Sequence, residues 1–112
     1  MPGGASTAAS ELAPEEAGRL LGSQVVQWLD VRPPAAGPRA TIPGAIFVPL
    51  EEIAAGDLPL DPQREVLVFC DIGRRSQIAA DLLTQRGFKA RSLASGLVGW
   101  RAAGLPVQEA HD

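Results

Sequence analysis

Short apolar runs divide the chain, separated by stretches rich in glycine and proline. Four of these runs consist mainly of β-branched, aliphatic and aromatic residues and predict strands, at residues 25–31, 45–48, 65–70 and 90–93. The third run is continuously apolar from Val66 to Cys70, which is typical of a parallel strand covered on both faces. The pattern therefore predicts a buried strand in the second half of the chain that ends at a cysteine.

Helical segments alternate with these strands, at residues 11–22, 50–54, 76–87 and 97–103. In the third segment Ile78, Ala79, Leu82 and Leu83 recur at the spacing of one helix face. This alternation, with no hairpin signal, predicts an α/β fold with a central parallel sheet and helices on both faces. We expect one domain over residues 11–108, with a disordered tail at 1–10 and a short tail at 109–112.

Composition narrows the class of function. The chain has 112 residues, enough for one modest core, and a net charge of −3, which disfavours nucleic-acid and anionic-membrane partners. No apolar run is long enough to cross a membrane, and a single cysteine excludes an internal disulfide. We therefore expect a monomeric cytoplasmic domain without nucleic-acid or membrane partners, in which Cys70 carries any thiol chemistry.

The segment after the third strand has the features of a nucleophile loop. Ligands of open parallel sheets bind beyond the carboxyl ends of the strands, where Cys70 stands. Gly73 permits a positive φ, so the turn can direct backbone N–H groups and the next helix's amino terminus toward the sulfur. Such donors favour an anionic sulfur, and Arg74 and Arg75 add two positive charges. A lone cysteine is often a small buried apolar residue, but this combination favours a functional thiol.

Four segments together form a specific pattern: Leu29-Asp30-Val31-Arg32, Ile42-Pro43-Gly44-Ala45, Cys70-Asp71-Ile72-Gly73-Arg74-Arg75-Ser76, and Gly99-Trp100 followed by residues 103–107. In this order they resemble the single-domain rhodaneses, a sulfurtransferase family, over about residues 11–108. The resemblance implies the rhodanese-like α/β fold. It also implies an enzyme that needs no cofactor or metal and carries a sulfane sulfur as a persulfide on Cys70. The donor would be thiosulfate or a persulfide, small or on a protein, and the acceptor a thiophilic small molecule.

The resemblance also implies roles for residues around the cysteine. The active-site loop that cradles the persulfide would consist of Asp71, Ile72, Gly73, Arg74, Arg75 and Ser76. Arg75, the last arginine of the loop, would orient an anionic donor. Asp30 and Arg32 would be structural and tie together loops near the site.

Three features of the sequence depart from the family pattern. Thr41 stands where a histidine is frequent, and Ala94-Ser95-Gly96 replaces the usual Glu-Gly-Gly turn. Asp71 replaces a basic or neutral polar residue directly after the cysteine. Because its carboxylate would lie at the mouth of the site, we expect Asp71 to disfavour a dianionic donor such as thiosulfate.

Two other functions stay open at this stage. Phosphatases and arsenate reductases of the same fold use a Cys-x5-Arg loop, whereas here the arginine comes five positions after Cys70 and Ser76 comes six positions after it. The shorter loop suits a sulfur atom better than a tetrahedral oxyanion, so this alternative is the weaker one. The other alternative is a non-catalytic rhodanese-like module that binds a partner.

The remaining chemistry-bearing residues have structural interpretations. His111, the one histidine, lies two residues from the end of the chain and predicts a tail residue rather than a catalytic partner. Adjacent residues on a helix diverge by about 100°, so we interpret Glu51 and Glu52 as a solvated face. One cysteine and one histidine make a zinc site unfavourable, and no glycine-rich nucleotide motif is present.

Overall fold

The computed structural model describes residues 10–34 and 40–109. Within these ranges the strands are β1 (Glu11–Leu12), β2 (Val26–Asp30), β3 (Ile46–Phe47), β4 (Glu65–Phe69) and β5 (Ala90–Leu93). The helices are α1 (Pro14–Gly18), a 3-10 helix (Leu50–Glu52), α2 (Arg74–Gln85) and α3 (Gly96–Ala102). No helix in the described part of the chain is long and apolar enough to span a membrane.

The strands form one parallel sheet in the order β1-β5-β4-β2-β3. β4 lies at the centre and pairs with β2 along its whole length, from Val26 opposite Glu65 to Asp30 opposite Phe69. Residues 66–69 are fully buried because neighbouring strands and both helical layers cover them. This burial explains why β4 is continuously apolar rather than alternating.

Helices cover both faces of the sheet, as predicted. Val68 of β4 packs in one apolar cluster with Ala79 of α2, whereas Phe69 packs in the other cluster with Trp100 of α3. Cys70 continues this alternation and lies on the α2 side. The alternation therefore places the thiol on the side from which α2 begins.

The predicted helix over residues 11–22 is wrong in its first part. Glu11 and Leu12 instead form an edge strand that pairs with Ser92 and Leu93 of β5. Pairing with β5 satisfies backbone groups that a helix start would leave without partners. Only the segment from Pro14 onward is helical, which fits the preference of proline for the first helical turn.

The site-bearing elements also differ slightly from the prediction. β4 ends at Phe69, so Cys70 is the first residue after the strand rather than its last. α2 begins at Arg74 rather than Ser76, because Gly73 occupies the position before the helix at φ +102°. β2, β3 and α3 end within one residue of their predicted limits, and β5 has the predicted limits.

The predicted tails fall largely outside the described residues. Residues 1–9 and 110–112 lie outside them, and with them His111. Ser10 is described, and its carbonyl oxygen accepts a hydrogen bond of 3.1 Å from the amide of Ser92. Near the other end, Gln108 exchanges two backbone hydrogen bonds of 2.7 and 2.9 Å with Thr41.

Candidate active site

Cys70 lies at the carboxyl edge of the sheet, directly after β4 and beside the end of β2. The amide of Val31 donates a 3.0 Å hydrogen bond to the carbonyl oxygen of Phe69, which holds the ends of these strands together. The cysteine is 2% exposed and lines a cavity of about 320 Å³. Of the residues that the structure describes, Arg32, Pro33, Asp71, Ile72, Arg74 and Arg75 also line it. Most of the predicted loop and the residues that follow β2 therefore line the same cavity.

Hydrogen-bond donors surround the cysteine sulfur. The amide nitrogens of Gly73 and Ser76 lie 3.1 and 3.4 Å from Sγ and donate to it. Ser76 Oγ lies 3.6 Å from Sγ and 2.7 Å from Ser92 Oγ, and both serines are fully buried. A thiol can donate to Ser76, whereas toward a thiolate the Ser76 hydroxyl can turn and donate while Ser92 donates to Ser76. This arrangement accommodates a negative charge on sulfur.

The shape of the loop depends on its glycine and on the helix that follows. Gly73 has φ +102°, a left-handed conformation that favours glycine, and it turns the chain sharply after the cysteine. α2 then extends for 12 residues, so the partial positive charge of its amino terminus adds to the two amides. The loop therefore forms the sharp turn with amides directed at the sulfur that the sequence predicts, and anion binding there stays a prediction.

α3 holds the same loop from the other side. The amides of Leu97 and Val98 donate hydrogen bonds of 2.8 and 2.9 Å to the carbonyl oxygens of Cys70 and Asp71. Gly96 makes this contact possible, because a Cβ there would lie 2.6 Å from the backbone of both loop residues. The sequence contains the altered turn at residues 94–96 but gives no sign of this support, since the contact joins segments distant in the chain.

Asp30 and Arg32 form a buried ion pair behind the site. Arg32 Nε and Nη2 lie 3.0 and 2.7 Å from the two carboxylate oxygens of Asp30, and the carboxylate also accepts the Thr41 hydroxyl at 3.1 Å. Arg32 Nη2 donates to the carbonyl oxygen of Ala40 at 3.0 Å. Burial disfavours the charged form, but the hydrogen bonds and charge of Asp30 outweigh it and raise the pKa of Arg32. These contacts are the ones expected of a pair that ties loops together.

Arg75 forms an ion pair with Glu51, a residue that the sequence predicts to lie on a solvated face. Its Nη2 lies 2.5 Å from Oε2 of Glu51 on the 3-10 helix. A hydrogen bond from its own backbone amide, followed by the contact with Arg75, lowers the pKa of Glu51. Glu51 is exposed, as predicted, and it also takes part in this ion pair. No sequence signal revealed this pair, because the two residues lie on separate elements.

The two other charged residues at the mouth differ in their surroundings. Asp71 Oδ1 lies 3.7 Å from Arg32 Nη1, and the Asp71 side chain is 46% exposed. Arg74 opens α2 and is exposed, with no hydrogen-bond or carboxylate partner among residues 10–34 and 40–109. Ile72 between them is 59% exposed and gives the mouth an apolar edge. The predicted loop residues are therefore brought together, and their individual roles stay predictions.

The structure combines a central parallel sheet, covered by helices on both faces, with a cysteine loop of this length and geometry between β4 and α2. This combination defines the class of the protein. The chain belongs to the rhodanese-like domain family, whose model matches residues 13–103. This match confirms the resemblance and the fold predicted from the sequence. A rhodanese-related protein from Thermoplasma volcanium superimposes with a TM-score of 0.80 at 24% identity, covering 88% of this chain and 97% of that one.

Similar proteins include named sulfurtransferases. A sulfurtransferase of Allochromatium vinosum is 31% identical over 90 residues, covering 80% of this chain and 84% of that protein. The thiosulfate sulfurtransferase PspE of Escherichia coli is 33% identical over 72 residues, 62% of this chain and 69% of that protein. The HTH-type transcriptional regulator Rv0324 of Mycobacterium tuberculosis is 34% identical over 111 residues, which are 96% of this chain but 46% of the regulator. Domains like this one therefore occur alone and within longer proteins.

Proposed function

We propose that this domain is a sulfurtransferase that carries a sulfane sulfur as a persulfide on Cys70. The observation that carries the proposal is the pair of amide hydrogen bonds to Sγ, from Gly73 at 3.1 Å and Ser76 at 3.4 Å. The relatives named sulfurtransferase support the reaction class.

In the loading step the Cys70 thiolate attacks the outer sulfur of the donor. A new S–S bond forms, and the donor's own S–S bond breaks, so sulfite leaves thiosulfate, or a thiolate leaves a persulfide, with the bonding electron pair. The negative charge then resides on the outer sulfur of the Cys70 persulfide. Loop amides and the amino terminus of α2 favour this anion.

In the unloading step a thiophilic acceptor attacks the outer persulfide sulfur. The S–S bond to Cys70 breaks, and its electron pair returns to Sγ, which the amides of Gly73 and Ser76 again stabilise. With cyanide as the acceptor the product is thiocyanate. The cycle balances without an oxidant, a reductant or a metal.

Phosphoryl transfer fits this loop less well. Arg75 comes five positions after the nucleophile, and its guanidinium is paired with Glu51 at 2.5 Å. Catalysis of phosphoryl transfer depends on positioned positive charge around the equatorial oxygens. We therefore expect negligible hydrolysis of an aryl phosphate where sulfur transfer is measurable; comparable phosphatase turnover that is lost in Cys70→Ser would reverse this ranking.

Intact-mass spectrometry tests the proposal directly. After incubation with thiosulfate or a small persulfide, the protein should gain the mass of one sulfur atom, and cyanide should remove it. Cys70→Ser should fold with the same circular dichroism spectrum and gain no sulfur. A wild-type protein that gains no sulfur from either donor would favour the non-catalytic binding module.

A further inference from the structure

Among residues 10–34 and 40–109, three arginines line the cavity that contains Cys70, and their charges are compensated to different extents. Arg32 lies between two carboxylates, with Asp30 at 2.7 Å and Asp71 at 3.7 Å. Arg75 has its Nη2 at 2.5 Å from Glu51. An anion that enters the cavity therefore meets two arginines already engaged by carboxylates.

Arg74 is different. It is exposed, lines the same cavity, and has no carboxylate or hydrogen-bond partner within residues 10–34 and 40–109. It also stands in the first turn of α2, where a positive charge opposes the helix dipole. An anion bound in the cavity would offset that repulsion, so the position of this charge favours anion binding.

We propose that Arg74, and not Arg75, is the residue that recognises the negative charge of a small anionic sulfur donor. Glu51 in turn positions Arg75 and offsets part of its positive charge. The inference rests on the proposed sulfur transfer and names the residue that attracts an anionic donor, a small oxyanion attached to the transferable sulfur, against the repulsion expected from Asp71. On this inference, the role of orienting the donor belongs to Arg74 and not to Arg75, to which the resemblance assigned it.

The surroundings of a second donor group of Arg75 agree with this assignment. Its Nε–H is buried and has no hydrogen-bond partner in the described part of the chain. Because this atom is shielded from solvent, a donor entering from the mouth cannot contact it without movement of the side chain. The exposed guanidinium of Arg74 needs no such movement.

The charge dependence of the donor reaction distinguishes the two arginines. Coulomb energy scales with the charge of the ligand. The logarithm of the fold-change in kcat/KM caused by removing the charge of Arg74 should therefore be twice as large for a dianion as for a monoanion. We expect Arg74→Gln to lower kcat/KM about tenfold for thiosulfate and about threefold for methanethiosulfonate, mainly through KM. Both donors present an oxidised sulfur group beside a transferable sulfur, which makes them a matched pair.

Two further variants provide the comparison. Glu51→Gln combined with Arg75→Gln removes the ion pair without changing the net charge; because Arg75 lines the cavity, we expect a loss of about twofold in kcat/KM that is the same for both donors. Lys89→Gln changes the net charge as Arg74→Gln does, but it lies before β5, at the opposite edge of the sheet, and should behave as wild type. A loss in the double variant equal to that in Arg74→Gln would overturn the inference, as would an equal effect of Arg74→Gln on both donors.

Binding without transfer separates this inference from the proposed function. In the Cys70→Ser background, NMR titration with thiosulfate reports the dissociation constant whether or not the wild type accepts sulfur. Adding Arg74→Gln should raise that constant about tenfold, and adding the Glu51 and Arg75 changes should not. Failure of sulfur loading with this binding pattern intact would refute the sulfurtransferase alone; a binding constant that is insensitive to Arg74 would refute the inference alone.

Discussion

Replacing Gly96 with alanine should displace the loop that holds Cys70. Gly96 has φ +57°, and a Cβ there would lie 2.6 Å from the carbonyl oxygens of Cys70 and Asp71. The left-handed conformation costs a non-glycine residue about 1–2 kcal/mol, and overpacking against a rigid backbone adds about 1–3 kcal/mol. The expected loss in free energy of unfolding is therefore about 2–5 kcal/mol.

Gly104→Ala is the matched control for this change. Gly104 follows the same helix at φ +75°, and a Cβ there meets no atom within 4 Å, so this variant keeps the conformational cost without the collision. The difference between the two variants then isolates the contact with the loop, about 1–3 kcal/mol. At about 4 °C per kcal/mol this corresponds to a Tm gap of roughly 4–12 °C.

Thermal and chemical unfolding measure the stability difference, and single-turnover loading of Cys70 measures the effect on the site. Below both transitions, Gly96→Ala should accept sulfur more slowly than wild type, because the amides of Gly73 and Ser76 no longer converge on Sγ. Gly104→Ala should load at the wild-type rate. Equal stability losses in the two variants, together with normal loading by Gly96→Ala, would refute the reasoning.

Three further substitutions test the charges and the turn around the site. Asp71→Asn removes a carboxylate 3.7 Å from Arg32 and should raise kcat/KM for thiosulfate about two- to fivefold, with a smaller gain at high salt; an unchanged or lower value would contradict this. Asp30→Asn leaves the buried guanidinium of Arg32 without its charge partner and should lower the free energy of unfolding in urea by about 3–5 kcal/mol, so a loss below about 1 kcal/mol would count against it. Ser95 has φ +62°, and Ser95→Gly should raise stability by about 0.5 kcal/mol, since relief of the left-handed strain exceeds the entropy that glycine adds to the unfolded chain; a drop in Tm would exclude this balance.

Local pattern was sufficient to predict the elements that form the candidate site. The apolar run of β4 predicted a strand buried on both faces, and the periodicity of α2 predicted the helix after it. Between β4 and α2, the presence of Gly73 predicted the sharp turn that directs backbone amides toward Cys70. These features depend on neighbouring residues, so the sequence alone determined them to within two residues.

Only the tertiary structure decided the contacts between distant segments. Glu11 and Leu12 read locally as the start of a helix, but their pairing with β5 makes them a strand. By its local sequence Arg75 is a cation of the loop, but in the structure its guanidinium lies 2.5 Å from Glu51. Arg74 is therefore the exposed, cavity-lining arginine that has no partner in the described residues. Edge pairing and ion pairing satisfy backbone groups and charges with partners brought near by folding, and no local pattern encodes those partners.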